Sequence, residues 1–142
     1  MNVLVTGAAG FVGQNLCIRL SREKDCTVLP FDIANEESEL FELLTKADRI
    51  VHLAGINRPL EPSEFMAGNF GLTSTIADAL EKMQRPIPII FSSSIQAELQ
   101  NDYGKSKRAA EERLRVYNER TGAPVRIFRF ANIFGKWCRP NY

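Results

Sequence analysis

Apolar and polar positions along the chain follow two different periods in turn. Short runs rich in β-branched and aromatic residues have the length and composition of strands: 2–6 (NVLVT), 27–31 (TVLPF), 49–53 (RIVHL), 87–92 (IPIIFS) and 125–130 (VRIFRF). Between them, segments near 11–22, 36–46, 63–83 and 103–121 space their apolar residues as amphipathic helices do. This alternation predicts right-handed βαβ crossovers and a parallel sheet of about five strands, covered by helices on both faces. Gly122-Ala-Pro124 is expected to stop the last helix, because glycine suits the position after a helix and proline cannot continue it. Pro30 suits a strand at the sheet edge. No repeat, low-complexity stretch or linker interrupts the pattern, so residues 1–142 read as one domain.

Composition narrows the class. A chain of 142 residues, 44% hydrophobic and 25% charged, is enough for one domain with a core. Eighteen basic and 17 acidic residues are mixed along it, giving a net charge of +1. No basic stripe points to nucleic acid. Cys17, Cys26 and Cys138 are odd in number and scattered, without metal-ligand spacing, as thiols are in a reducing compartment. No apolar run approaches the roughly 20 residues of a membrane span. The first strand starts directly after Met1, without room for a signal peptide. A soluble, cytoplasmic, metal-free protein is expected. The last strand runs into 132–142 (NIFGKWCRPNY) without a closing helix or polar tail, which reads as the N-terminal part of a longer protein.

Thr6-Gly7-Ala8-Ala9-Gly10-Phe11-Val12-Gly13 follows the first strand and opens the first helix. In that place the glycines allow a tight turn, a close approach of backbone N–H groups to a pyrophosphate, and close helix–strand packing. The helix N-terminus adds partial positive charge. Gly7, Gly10, Phe11, Val12 and Gly13 are therefore candidate ligands of a nicotinamide dinucleotide, NAD or NADP, on a Rossmann-type doubly wound domain. The alternative is a turn that needs small residues and holds nothing. Asp32, at the end of the second strand, is placed to accept hydrogen bonds from the adenosine ribose, or else to form a turn before the next helix.

Tyr103 and Lys107 lie four apart on the last helix and so share a face. A neighbouring ammonium stabilises a phenolate and brings a phenol toward the working pH. Such a phenol can pass a proton to a substrate oxygen while hydride moves at the carbon. Ser92-Ser93-Ser94 follows the fourth strand, at the sheet edge where ligands bind, and a hydroxyl there can polarise the reacting carbonyl. Each part alone is common on ordinary surfaces. The ordered combination is not.

These motifs resemble the extended short-chain dehydrogenase/reductases over nearly all of the chain. The resemblance makes His52-Leu53-Ala54-Gly55 the second cofactor segment and adds Lys107 to the cofactor contacts. It makes Ser94, Tyr103 and Lys107 the catalytic triad, and Asn132, in Arg129-Phe-Ala-Asn132-Ile-Phe-Gly135, a nucleotide-sugar contact. Asn69 stands where the family has an asparagine in its long helix. A narrower likeness, carried by residues 52–59, 92–97 and 134–142, is to capsular-polysaccharide reductases. Those act on the C4 keto group of a UDP-2-acetamido-2,6-dideoxy-hexulose, are associated with NADPH, and usually carry a cupin domain afterwards. The resemblance implies a keto-sugar reductase, homodimeric in its full-length form, with the substrate-binding portion outside these residues. It also admits an epimerase on the same scaffold. A 4,6-dehydratase is disfavoured, because Ile95-Gln96 stand where that group resembles Asp-Glu. A non-catalytic nucleotide sensor is the rival from another class, though such proteins typically lose the Tyr/Lys pair kept here.

Two departures from the family matter. Between the second strand and His52 there is one helix where a further strand–helix unit is usual, so Asp32 matches either the ribose acid or the acid ending the missing strand. The stretch from Ser94 to Tyr103 is brief. Among smaller features, His52 reads as a packed residue and Trp137 as a core or subunit contact. Arg58 is a pyrophosphate partner or a solvated arginine. Arg139 leans to the substrate side.

Overall fold

The computed structural model describes residues 1–138. Five parallel strands form one sheet in the order β2-β1-β3-β4-β5: β1 Asn2–Thr6, β2 Thr27–Phe31, β3 Arg49–His52, β4 Ile89–Ser94 and β5 Val125–Phe130. The helices are α1 Phe11–Leu20, α2 Glu37–Lys46, α3 Leu72–Lys82 and α4 Asp102–Thr121. A π-helical turn, Met66–Gly71, leads into α3, and a 3₁₀ turn, Ile95–Glu98, leads toward α4. The expected long helix over 63–83 is thus two pieces with different winding.

The chain order dictates the layering. The step from β1 to β2 runs one way along the sheet, and every later step runs the other way. Right-handed crossovers then place α1 on one face and α2, α3 and α4 on the opposite face. The expectation of helices on both faces holds only over β1 and β2. Across β4 and β5 the α1 face carries exposed Ile90, Phe128 and Phe130. The other face holds the core: Leu4, Ile50, Ile89 and Phe91 from the strands meet Leu40, Leu44, Ile76, Leu80, Leu114 and Tyr117 from the helices. Period-2 alternation explains the split, because Ile89 and Phe91 point to the helices while Ile90 points away.

Because all strands run the same way, their carboxyl ends share one edge. The reversal of direction at β1 opens a crevice there between β1 and β3, the switch point where doubly wound sheets bind ligands. β2 pairs directly with β1, in register Thr6↔Phe31, with Pro30 tolerated on the edge strand. Strand β4 begins only after Pro88 and runs through all three serines, since Ser92, Ser93 and Ser94 pair with Phe128, Arg129 and Phe130.

Helix α4 fixes the far side of this edge. Asn101 caps it by accepting from the Gly104 amide at 2.6 Å, and Gly122 ends it in the left-handed region, as the glycine–proline signal predicts. Tyr117, fully buried, donates its hydroxyl to the Ile87 carbonyl at 2.9 Å and so ties α4 to the entry of β4. Tyr117→Phe leaves that carbonyl without a donor, and urea unfolding is expected to show a loss of about 1–2 kcal/mol. An unchanged midpoint would show that the bond contributes nothing to the fold.

Candidate functional site

A cavity of about 940 Å³ lies along the carboxyl edge of the sheet. Its walls include Gly7, Gly10, Phe11, Val12 and Gly13 from the first turn, and Leu53 and Gly55 after β3. Ser92, Ser93, Ser94, Tyr103, Lys107 and Asn132 also line it, so residues separated by over a hundred positions share one space. Arg58 and Trp137 line it as well. Trp137 is half-exposed, not a core residue, and the Lys136 ammonium sits 4.4 Å from its ring centroid. Arg139 lies outside the described residues.

The first turn fits an anionic group. Gly7 has φ +70°, and a Cβ there would meet the Ala54 amide nitrogen at 2.7 Å. A Cβ on Gly13 would fall 2.0 Å from the Gly7 carbonyl, so loop and helix pack at a distance only glycine allows. Gly10 is the N-cap and no side chain caps the helix; its first turn contains no acid. The first-turn amides therefore face the cavity end of α1 with their partial positive charge. Ala54 itself stands behind the cavity wall, its amide donating to Thr6 Oγ1 at 3.2 Å.

Asp32 lines a shallower cavity of about 420 Å³ beside the loop, with Ala8, Ala9, Gln14 and Pro30. Since β2 is the direct neighbour of β1, Asp32 ends the strand from which doubly wound folds take their ribose acid. One carboxylate oxygen accepts from the Ala9 amide at 2.7 Å and the other from the Ile33 amide at 2.8 Å, so it also braces the glycine loop.

Lys107 is 4% exposed although charged. Its ammonium donates to the Ser92 carbonyl at 3.0 Å and stands 5.0 Å from the centroid of the Phe91 ring. Burial lowers its pKa to about 8, and the Glu111 carboxylate works in the opposite direction. Lys107 thus remains mostly protonated at neutral pH while being easier to discharge than a surface lysine. Tyr103, one turn earlier, packs its ring against Phe65 at 5.5 Å with a 56° tilt.

The three serines have three fates. The Ser92 carbonyl holds Lys107, the Ser93 hydroxyl donates to Glu111 at 2.6 Å, and Ser94 Oγ accepts from the Gln96 amide at 3.2 Å. In that bond the Ser94 hydroxyl is the acceptor, and the side chain lines the cavity. Glu111, absent from the sequence expectations, is fully buried and also accepts from Arg129 Nε at 2.8 Å and from a terminal Arg129 nitrogen at 2.7 Å. Burial pushes its carboxyl up, but the bonds from Arg129 and Ser93 outweigh that and hold it below the usual range. Its signal in the sequence was the spacing Tyr103, Lys107, Glu111, three residues four apart on one helix face.

A second buried network holds the floor between β1 and β3. Thr73 Oγ1 donates to the Asn69 carbonyl at 2.7 Å, so at 2.9 Å from His52 Nε2 it acts as acceptor. His52 Nδ1 then accepts from Thr6 Oγ1 at 2.6 Å. The donor order makes His52 a neutral Nε2–H imidazole, a packed residue as expected. Burial, with the nearby Lys107 charge, lowers its pKa to about 3. Asn69, inside the π turn, grips both the amide and the carbonyl of Ile56 and donates to Ser106 at 3.0 Å. It braces the segment after β3 against α4. Among the described residues no cluster of His, Cys, Asp and Glu is arranged to hold a metal ion, and no helix is long and apolar enough to cross a membrane.

Fold and cavity together define a doubly wound α/β domain of the Rossmann class. The chain belongs to the NAD dependent epimerase/dehydratase family, whose profile matches residues 3–142. It is 53% identical over 142 residues to the UDP-2-acetamido-2,6-beta-L-arabino-hexul-4-ose reductase of Pseudomonas aeruginosa, covering 38% of that protein. The crystal structure of the capsular polysaccharide assembling protein CapF from Staphylococcus aureus superposes with a TM-score of 0.86 at 46% identity, over the whole of this chain and 38% of that one. A UDP-glucuronic acid 4-epimerase from Bacillus cereus, solved with NAD, shares the fold with a TM-score of 0.86 at 22% identity, over the whole chain and 60% of that one. The chain thus spans well under half the length of the first two relatives.

The neutral His52 has a thermodynamic consequence. Its folded pKa is depressed, so below the ordinary imidazole value of 6.5 the unfolded chain binds a proton that the folded chain excludes. Stability then falls as pH drops from about 6.5 toward about 3. Urea unfolding at pH 7 and pH 5 is expected to differ by about 2 kcal/mol through this group. His52→Leu should lose that component of the pH dependence. An equal slope in both proteins would contradict the assignment.

Proposed function

We propose that the protein containing this chain is a nicotinamide-dependent reductase of a nucleotide-activated keto-sugar, acting at C4 in surface-polysaccharide synthesis. The carrying observation is that Ser94, Tyr103 and Lys107 open into the same cavity as the glycine loop. The 53% identity to a hexul-4-ose reductase supports the substrate class, and the likeness to a capsular polysaccharide assembling protein supports the setting. The free thiols of Cys17 and Cys26 accord with a reducing, cytoplasmic compartment.

In this reading the first-turn amides of Phe11, Val12 and Gly13 hold the pyrophosphate of NAD or NADP, and Asp32 accepts from the adenosine ribose. Leu53, Ala54 and Gly55 pass beneath the dinucleotide, and Lys107 holds the nicotinamide ribose. Bound in its reduced form, the nicotinamide supplies the hydride. Ser94 donates a hydrogen bond to the keto oxygen and fixes its position. Tyr103 gives that oxygen its proton, and the Lys107 ammonium stabilises the phenolate left behind until solvent reprotonates it. Asn132, which lines the same cavity after β5, is the sugar-side contact. Arg139 belongs to the same reading by its place in the sequence.

Tyr103→Phe in the complete protein is expected to reduce keto-sugar turnover at least about 100-fold while leaving dinucleotide affinity within a few-fold. Turnover is read as loss of nicotinamide absorbance. Undiminished turnover would remove Tyr103 from the mechanism, and sugar conversion without net consumption of NADH or NADPH would identify an epimerase.

A further inference from the structure

The group that most needs a reason is Glu111. It is fully buried, lies outside the cavity wall, and engages residues from three elements. Ser93 is the middle serine of β4, flanked by the carbonyl that holds Lys107 and by the hydroxyl that faces the cavity. Arg129 is its register partner on β5, three residues before Asn132. Lys107 precedes Glu111 by one helical turn. Each of the three cavity groups is thus one to three residues, or one turn, from a direct partner of one carboxylate or from Glu111 itself.

Stability alone does not account for this arrangement. A buried ion pair is weak support for a fold, because the desolvation it costs is of the same order as its attraction. A shape-matched apolar pair would join α4 to β5 without that cost. An apolar pair has no charge to set against a buried ammonium, however, and cannot tie the Ser93 hydroxyl.

We propose that Glu111 is a positioning residue of the site: its carboxylate locks the ends of β4 and β5 onto the helix face bearing Tyr103 and Lys107, and serves as the counter-charge of the Lys107 ammonium. The inference rests on the catalytic reading of Tyr103 and Lys107 given above. The charged and titratable groups around Lys107 agree with this. His52 on β3 is neutral, Tyr103 and Glu111 share its helix, and Arg129 on β5 is paired to Glu111 and to Glu98. Arg115, on the same helix, pairs with Glu111 and Glu112. Glu111 is the carboxylate that raises the Lys107 pKa against burial, so its removal discharges Lys107 at lower pH and leaves Arg129 with Glu98 as its remaining carboxylate partner, which acts in the same direction.

The test is the titration of the Lys107 side chain by NMR in the 142-residue chain with labelled lysine, the signal assigned through Lys107→Arg. In Glu111→Gln, which keeps shape and one hydrogen-bond acceptor, the Lys107 midpoint is expected to fall by about one pH unit. Glu111→Asp, which restores the charge, is expected to bring it back most of the way. If Glu111→Gln does not fold, Glu111→Gln combined with Arg129→Gln removes both charges, and a smaller fall in the same direction is expected. An unmoved midpoint in a folded variant, or failure of both variants to fold, would assign Glu111 to stability alone and overturn the proposal. NADH binding by the unsubstituted chain is measured alongside. Its absence would remove the functional reading, whereas the Lys107 titration bears on Glu111 separately.

Discussion

A lysine that stays charged while 4% exposed is the constraint on which the rest of this structure depends. An ammonium cannot be buried without partners, and the chain supplies them from every direction. The Ser92 carbonyl accepts from it, the Phe91 ring lies close by, and the Glu111 carboxylate sits one turn along the helix. His52 meanwhile is kept neutral by its threonine partners and its burial, so it adds no positive charge beside Lys107. Other features follow from meeting that requirement. Strand β4 must run through its serines so that a backbone carbonyl is presented at Ser92. Helix α4 must be capped and tied at both ends so that Lys107 and Glu111 keep their places. A lysine so held stays charged at neutral pH while discharging more easily than a surface lysine.

The same economy appears in the sheet. Its direction reverses at β1, which leaves a crevice where the glycine loop and the segment after β3 converge, and both are held by backbone contacts too close for a side chain. The glycine loop is therefore packed directly against the segment after β3. Along α4 the Ser93 hydroxyl, the Glu111 carboxylate and the Arg129 guanidinium are joined by hydrogen bonds. After β5 the chain returns toward α1, where Asn15 donates to the Lys136 carbonyl at 2.9 Å. The α1 face over β4 and β5 presents Ile90, Phe128 and Phe130 to solvent.

Much of the fold was legible in the sequence, and the reasons are physical. β1, β2 and β5 match the predicted runs residue for residue, and β3 ends one residue sooner, because apolar strands bounded by turn residues leave a strong local signal. β4 was misplaced toward its N-terminus. Pro88 cannot donate to the ladder, and serines are poor strand formers that pair here only because β5 lies beside them. The π turn at Met66–Gly71 was hidden because its cause is distant: Asn69 winds inward to grip Ile56. In the candidate site, the glycine loop, Ser94, Tyr103 and Lys107 were legible from order and spacing. Topology places the strand that Asp32 follows directly beside β1. The threonine clamps on His52 were not legible, and Glu111 carried only its spacing after Lys107, because nothing else local distinguishes a buried carboxylate from the solvated acids elsewhere on α4. Only the arrival of Arg129 from β5 makes it a partner.

The central claim, that glycine loop and Lys107 form the two ends of one dinucleotide site, is tested most directly by a crystal structure of the chain with NADH. The account predicts the pyrophosphate on the amides of Phe11, Val12 and Gly13, the adenosine ribose beside Asp32, and the nicotinamide ribose within hydrogen-bonding reach of the Lys107 ammonium. A dinucleotide bound elsewhere, or one whose nicotinamide half lies away from Lys107 and Tyr103, would contradict it.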